Sequence, residues 1–114
     1  MVRVLMLLSA LLVTFPAFAA DGLSKDAKLA LGKDTFEKRC IICHNSTHVR
    51  KVGPGLEGVY GRQAESGIGT LNDELLNRWL KNPRSIKPNT VMPKYGPMQD
   101  DTIRGAVIEY LKTL

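Results

Sequence analysis

A five-residue run, Cys40-Ile41-Ile42-Cys43-His44, sets the strongest limit on the fold of this chain. It holds the only two cysteines of the sequence. Small domains that cannot build a large apolar core often depend on several disulfides, and one pair three positions apart cannot form such a framework. Something other than disulfide bonds must therefore complete the interior.

Cys-x-x-Cys-His is the attachment signature of c-type haem. On a helical turn, two thiols at this spacing can each add to one vinyl group of a porphyrin while the adjacent imidazole binds the iron. The alternatives each lack a required part. A thioredoxin-like dithiol follows a strand and begins a helix, and an iron–sulfur cluster needs more cysteines. A zinc site could use Cys40, Cys43, His44 and His48, but the usual separation between the two ligand pairs is missing. We therefore predict one covalently attached haem c on Cys40 and Cys43, with His44 as an iron ligand.

The N-terminal residues differ from the rest of the chain. Arg3, the only charged residue of this stretch, precedes a weakly polar run from Val4 to Phe15, which is followed by a proline and the small-residue site Ala17-Phe18-Ala19. This order is typical of a secretory signal peptide, and the run is shorter than the ~20 residues that cross a membrane. We expect residues 1–19 to be cleaved, residues 20–114 to form one domain, and the protein to function in the periplasm.

Apolar periodicity in the remaining chain predicts an all-α domain with three main helices. They are expected to begin at the N-caps Ser24 and Asn72 and at Asp100 or Asp101. Pro83 should end the second helix, and the stretch with prolines at 83, 88, 93 and 97 should be irregular. Two long loops separate the helices, and loops of this length in a small domain are usually functional. The last helix is predicted to present one apolar face, made of Ile103, Val107, Tyr110, Leu111 and Leu114.

A second iron ligand follows by elimination. His48 lies four residues after His44, so it is tethered to the same side of the haem. Met92 and Met98 remain. Met92 has a proline directly after it and another four residues before it, which stiffen an extended loop, whereas Met98 enters the last helix and is expected to pack in the core. We therefore predict Met92 as the ligand opposite His44.

Taken together, these residues resemble a class I, monohaem cytochrome c of the short bacterial type over essentially all of residues 20–114. The resemblance implies three main helices and long loops wrapped around one covalently bound haem, with a close crossing of the first and last helices at Gly32. It also implies that the Pro54 carbonyl accepts the His44 ring N–H and that Arg62 faces a propionate. The residues that it assigns to the haem are Cys40, Cys43, His44, Pro54, Arg62, Trp79, Thr90 and Met92, with His44 and Met92 on the iron.

The sequence departs from the family pattern in two places. Leu71 stands where mitochondrial members have a propionate-binding tryptophan, and the segment between Arg62 and Leu71 is much shorter than theirs. One propionate is therefore expected to be more exposed. The last helix begins with Gln99-Asp100-Asp101 instead of the Ser or Thr cap common in bacterial relatives, which should affect its stability and not its function.

A haem with both axial positions filled by protein has no open site for a substrate, so we expect no enzymatic activity. The predicted function is that of a soluble periplasmic electron carrier between a donor and an acceptor oxidoreductase. The main alternative is a haem c subunit held permanently in an oxidoreductase, such as a sulfur-compound oxidation system, because Pro-Asn-Thr-Val-Met-Pro also resembles such subunits. A dithiol oxidoreductase is a third class.

The excess of basic residues indicates the kind of partner. The chain has 16 Lys and Arg against 11 Asp and Glu, a formal charge of +5. Four of the basic residues flank Met92, with no acidic residue between them. On charge alone, this stretch could equally be a solvated loop or a docking surface. Because electrons leave through the haem edge near this loop, we expect redox partners with acidic docking surfaces, no nucleic acid, and no membrane span in the mature chain. The four basic residues are Lys81, Arg84, Lys87 and Lys94.

Overall fold

The computed structural model describes residues 22–114. Over this range the chain forms four α-helices and two short 3-10 turns, and β pairing is limited to one antiparallel bridge between Gln63 and Thr70. The all-α prediction is confirmed. The predicted signal peptide, residues 1–19, lies outside the described residues. The helices are α1 (Lys25–Lys38), α2 (Asp73–Lys81), α3 (Pro83–Ile86) and α4 (Asp101–Leu111), and the turns are Cys40–Ile42 and Gly96–Gln99.

Each main helix begins at a polar side chain that caps it. The Ser24 hydroxyl accepts the Ala27 N–H at 3.2 Å, and the Asn72 side-chain oxygen accepts the Leu75 N–H at 2.9 Å. One Asp100 carboxylate oxygen accepts two N–H groups of the first turn of α4, at 2.8 and 3.0 Å. Such caps each contribute about 1 kcal/mol. Asp100 therefore caps α4 in place of the Ser or Thr that is common in bacterial relatives.

The prediction that the proline-rich stretch is irregular throughout is wrong in two places. Pro83 ends α2, as predicted, but it is also the first residue of α3. Pro97 lies in the 3-10 turn Gly96–Gln99. A proline is tolerated in the first turn of a helix because its missing N–H has no intrahelical partner there. The prolines are therefore compatible with α3 and with the turn Gly96–Gln99, because each proline lies at the start of its element.

Helices α1 and α4 cross in close contact at Gly32. A Cβ atom at this position would lie 2.0 Å from the Ala106 carbonyl oxygen on α4, so only glycine fits. One turn later, the rings of Phe36 and Tyr110 pack with their centroids 5.3 Å apart. The predicted crossing is confirmed, and it brings the end of α1, where the Cys-x-x-Cys-His run begins, against the core.

The predicted apolar face packs on the core, and the structure adds further buried residues of α4 to it. Ile103, Tyr110 and Leu114 are only partly buried, whereas Arg104 is buried among the apolar residues of the face. The face therefore follows the three- and four-residue spacing that starts at position 104. The buried residues of α4 are Arg104, Ala106, Val107, Ile108 and Leu111.

None of the helices between residues 22 and 114 combines the length and apolar composition that crossing a membrane requires.

Candidate haem site

A largely apolar cavity of about 680 Å³ lies between α1, α2, α4 and the two long loops. This volume is in the range of pockets that hold cofactors and small ligands. Its walls include core side chains from all three main helices, such as Phe36, Leu76 and Val107. All eight residues that the sequence analysis assigned to the haem line this one cavity: Cys40, Cys43, His44, Pro54, Arg62, Trp79, Thr90 and Met92.

The 3-10 turn Cys40–Ile42 brings both thiols to one side of the cavity. α1 ends at Lys38, two residues before Cys40, and the backbone N–H groups of Cys43 and His44 donate to the Cys40 carbonyl at 3.1 and 2.9 Å. Both cysteines are free thiols. Burial, helped by the proximity of Cys43, raises the pKa of the Cys40 thiol to about 11. The two cysteines therefore line the cavity as free thiols, with no disulfide between them.

The orientation of the His44 ring is fixed by its neighbours. Its Nδ1–H donates to the Pro54 carbonyl at 2.8 Å. A Cβ atom on Gly53 would lie 2.3 Å from His44 Cε1, so the backbone packs directly against the ring. With Nδ1 holding the proton, Nε2 carries the lone pair that can bind a metal. This is the arrangement in which metal-bound histidines are usually held.

Arg62 holds the loop that carries Pro54, Gly55 and Glu57. Its Nη1 and Nη2 atoms donate to the carbonyls of Glu57, at 2.9 Å, and Gly55, at 2.7 Å. A guanidinium group has five N–H donors, so it can bind a carboxylate as well. Arg62 thus lines the cavity and anchors the loop that carries Pro54.

Met92 also lines the cavity, and it is held by two polar contacts. The Trp79 indole Nε1–H, from α2, donates to the Met92 sulfur at 3.1 Å. The Met92 backbone N–H donates to the Thr90 hydroxyl at 3.3 Å, which closes a turn around the residue. Met98 also lines the cavity, but it is buried in the core. The two methionines therefore differ in setting: Met92 lies in a loop with its sulfur hydrogen-bonded, and Met98 packs among apolar side chains.

The sequence analysis missed some residues that line the cavity. Arg50 and Glu65 form an exposed ion pair that joins the loop after His44 to the segment after Arg62. They lie in irregular loops without periodicity, so no local pattern indicated that they meet. Val91, whose exposed fraction is 80%, also lines the cavity, next to Met92. Only the folded loops bring these residues to the rim.

The residues of the cavity fit a haem c. The fit rests on two half-buried thiols three positions apart, an imidazole whose Nδ1 is already bonded to a carbonyl, and a thioether on a separate loop, all lining one apolar cavity. Soft sulfur and imidazole nitrogen are the usual axial ligands of haem iron in electron-transfer proteins. No part of this set requires a different metal.

Comparison with known proteins identifies a family to which this chain is similar. The cytochrome c family profile matches residues 29–114. Cytochrome c2 of Rhodopila globiformis is 35% identical over 97 residues, which cover 73% of this chain and 90% of that protein. The structure of cytochrome cH from Methylobacterium extorquens matches with a TM-score of 0.64 at 31% identity, over 75% of this chain and 98% of that one.

A match of another kind is to cytochrome c oxidase subunit 2 of Bacillus sp. strain PS3, which is 34% identical over 90 residues. The matched region covers 73% of this chain but only 25% of that subunit, so the chain spans about a quarter of the length of this relative. The family match and the similarity to cytochrome c2 over 90% of that protein are sufficient to assign the family. The chain belongs to the cytochrome c family, as a monohaem class I member with one covalently attached haem c and its iron.

Proposed function

We propose that this protein is a soluble periplasmic electron carrier whose haem iron is bound by His44 and Met92. The observation that carries the proposal is the placement of the two side chains. Each lines the same apolar cavity, each is on a separate loop, and each is oriented by its own hydrogen bond, His44 by Pro54 and Met92 by Trp79. When bound, the haem supplies a one-electron Fe(III)/Fe(II) couple.

The chain's own residues set the properties of that couple. The Pro54 carbonyl keeps the proton on Nδ1 of His44 and makes Nε2 a stronger donor. The Met92 sulfur favours Fe(II), and the apolar walls disfavour the extra charge of Fe(III), so both raise the reduction potential. With His44 and Met92 both bound to the iron, a substrate would have no open coordination position. The arrangement therefore suits electron transfer and not catalysis at the iron.

The basic residues near Met92 form the docking surface of this proposal. Lys81, Arg84 and Lys94 are exposed. Lys87 is half-buried, and its ammonium donates to the Ser66 carbonyl at 3.4 Å, so it is less available to a partner than the sequence indicated. Opposite charge on a partner speeds the encounter of transient redox complexes. We therefore propose that the donor or acceptor presents an acidic surface.

A second candidate is a haem c subunit held permanently in an oxidoreductase, including the sulfur-compound oxidation systems that the sequence suggested. The similarity to cytochrome c oxidase subunit 2 favours it, because a region like this chain makes up about a quarter of that subunit. Size-exclusion chromatography of native extract separates the two candidates. A free carrier elutes near its own mass, and a subunit elutes with its complex.

Carbon monoxide binding tests the axial ligation. The Fe(II) protein at neutral pH should not bind carbon monoxide, because His44 and Met92 occupy both positions. Rapid binding would show an open position and would remove the basis of the proposal.

Export is tested separately. Mass spectrometry of the protein isolated from a periplasmic fraction should give the mass of a chain that begins at residue 20. Recovery with residues 1–19 attached would contradict the proposed signal peptide.

A further inference from the structure

Arg104 is a buried charged residue to which the proposed function assigns no role. It lies in α4 with an exposed fraction of 4%, among Val107, Ile108 and Leu111. A buried charge is costly unless it is paired and its N–H groups are hydrogen-bonded. The partners of Arg104 therefore indicate what the residue does in this fold.

The guanidinium of Arg104 binds three parts of the chain. Its Nε–H donates to the Asn77 side-chain oxygen on α2 at 2.6 Å. Its Nη1 donates to the Met98 carbonyl at 2.7 Å, in the turn Gly96–Gln99. Its Nη2 forms an ion pair with Asp101, at the start of its own helix. One side chain thus joins α2, α4 and the turn between Met92 and α4.

That turn is where the Met92 loop ends. The loop leaves α3 after Ile86 and reaches the turn at Gly96, with Met92 between them. A second side chain of the turn also binds α2, because the Gln99 amide nitrogen donates to the Lys81 carbonyl at 2.8 Å. α2 carries Trp79, the donor to the Met92 sulfur. The end of the loop and the partner of Met92 are therefore fixed to the same helix.

We propose that Arg104 is a positioning residue for Met92, which fixes the end of the Met92 loop to α2 and α4. The proposal rests on the proposed function, in which Met92 binds the iron. The planar guanidinium bonds in three directions at once, and the ammonium group of a lysine cannot reproduce this geometry. Without Arg104 the turn loses its bond at Met98, while Phe36, Ile108 and Leu111 still pack the helices. Met92 should therefore leave the iron before the helices unfold.

The test compares two signals of the Fe(III) holoprotein during denaturation by guanidinium chloride. The absorption band from the methionine sulfur to Fe(III) reports Met92 ligation, and far-ultraviolet circular dichroism reports the helices. In Arg104→Lys the sulfur band should disappear at a clearly lower denaturant concentration than the helix signal. We expect an increase of about tenfold in the population with Met92 dissociated, because a hydrogen bond to a charged group is worth about that much in an equilibrium constant.

Two further variants control for loss of stability. Ile108→Ala truncates a buried apolar side chain of the same helix that forms no hydrogen bond to the turn, so it should lower both midpoints together. Asn77→Ala removes one partner of Arg104 from an exposed position and should give a smaller separation of midpoints even if Arg104→Lys folds poorly. If the two signals disappear together in the Arg104 and Asn77 variants, Arg104 does not position Met92. If the native protein has no sulfur band, the proposed ligation fails and this inference fails with it.

Discussion

The indole nitrogen of Trp79 lies 3.1 Å from the sulfur of Met92. The sulfur of a thioether has two lone pairs, so it can accept this hydrogen bond and still bind a metal. An N–H donor withdraws electron density from the sulfur, which weakens its donation to Fe(III) more than to Fe(II). The contact between α2 and the Met92 loop therefore has a consequence for the reduction potential as well as for packing.

We predict that Trp79→Phe lowers the reduction potential. A hydrogen bond is worth about 1 kcal/mol, and for a one-electron couple this corresponds to a shift of about 40 mV as an upper limit. Potentiometric titration measures the shift. Tyr95→Phe, which changes another aromatic side chain on the cavity, is the matched control and should leave the potential close to that of the native protein. Equal potentials for Trp79→Phe and the native protein would show that the indole does not act on the ligand.

Met92→Ala and Met98→Ala should have opposite profiles. Met92→Ala should open an axial position, lower the potential and allow the Fe(II) protein to bind carbon monoxide. Met98→Ala should leave ligation intact but destabilise the fold by about 2–5 kcal/mol, because Met98 is buried in the core. Carbon monoxide titration and denaturant unfolding measure the two effects. Carbon monoxide binding by the Met98 variant alone would transfer the ligand to Met98.

The haem should remain on the polypeptide through denaturation and acid-organic extraction, because thioether bonds at Cys40 and Cys43 do not depend on the fold. Mass spectrometry of the denatured chain measures this directly. The double variant Cys40→Ala, Cys43→Ala should not accumulate as folded protein, since the haem would fill the apolar cavity of about 680 Å³ that core side chains line. Complete removal of haem from the native protein by extraction would rule out the thioether bonds.

Electron transfer to an acidic partner should slow as salt increases. Between about 0.01 and 0.15 M ionic strength the Debye length falls from about 30 to 8 Å, and the second-order rate should fall about tenfold or more. At low salt, Lys94→Glu should also slow the reaction. Lys25→Glu makes the same charge change at the start of α1 and is the control. If both variants react at the native rate, and salt has no effect, the basic residues near Met92 do not guide the partner.

The parts of the fold that could be predicted from the sequence depend on local chemistry. Ser24 and Asn72 cap their helices through their own side chains, and Gly32 marks the crossing because no other residue fits against Ala106. The sequence predicts that Pro83 ends α2. Because a proline can also be the first residue of a helix, this prediction does not include α3. Local sequence signals thus predict where the main helices begin, but they do not show that one proline can end a helix and begin the next.

The candidate site shows the same division. Cys40, Cys43 and His44 are adjacent in sequence, so their meeting at one cavity could be predicted. The meeting of Arg50 with Glu65 depends on how two irregular loops pack, and no periodicity describes it. The burial of Arg104 lies between these cases. It stands three and seven residues before Val107 and Leu111, which is the spacing of a core face, but an arginine is usually exposed, and its burial here depends on partners that no local pattern indicates.

The most direct measurement of the central claim is the absorption spectrum of the purified protein in its oxidised and reduced forms. With His44 and Met92 on the iron, both forms should be low-spin, the reduced form should show the sharp bands of a c-type haem, and the oxidised form should show the sulfur-to-Fe(III) band. A high-spin spectrum in either form, or a low-spin oxidised spectrum without the sulfur band, would contradict ligation by Met92.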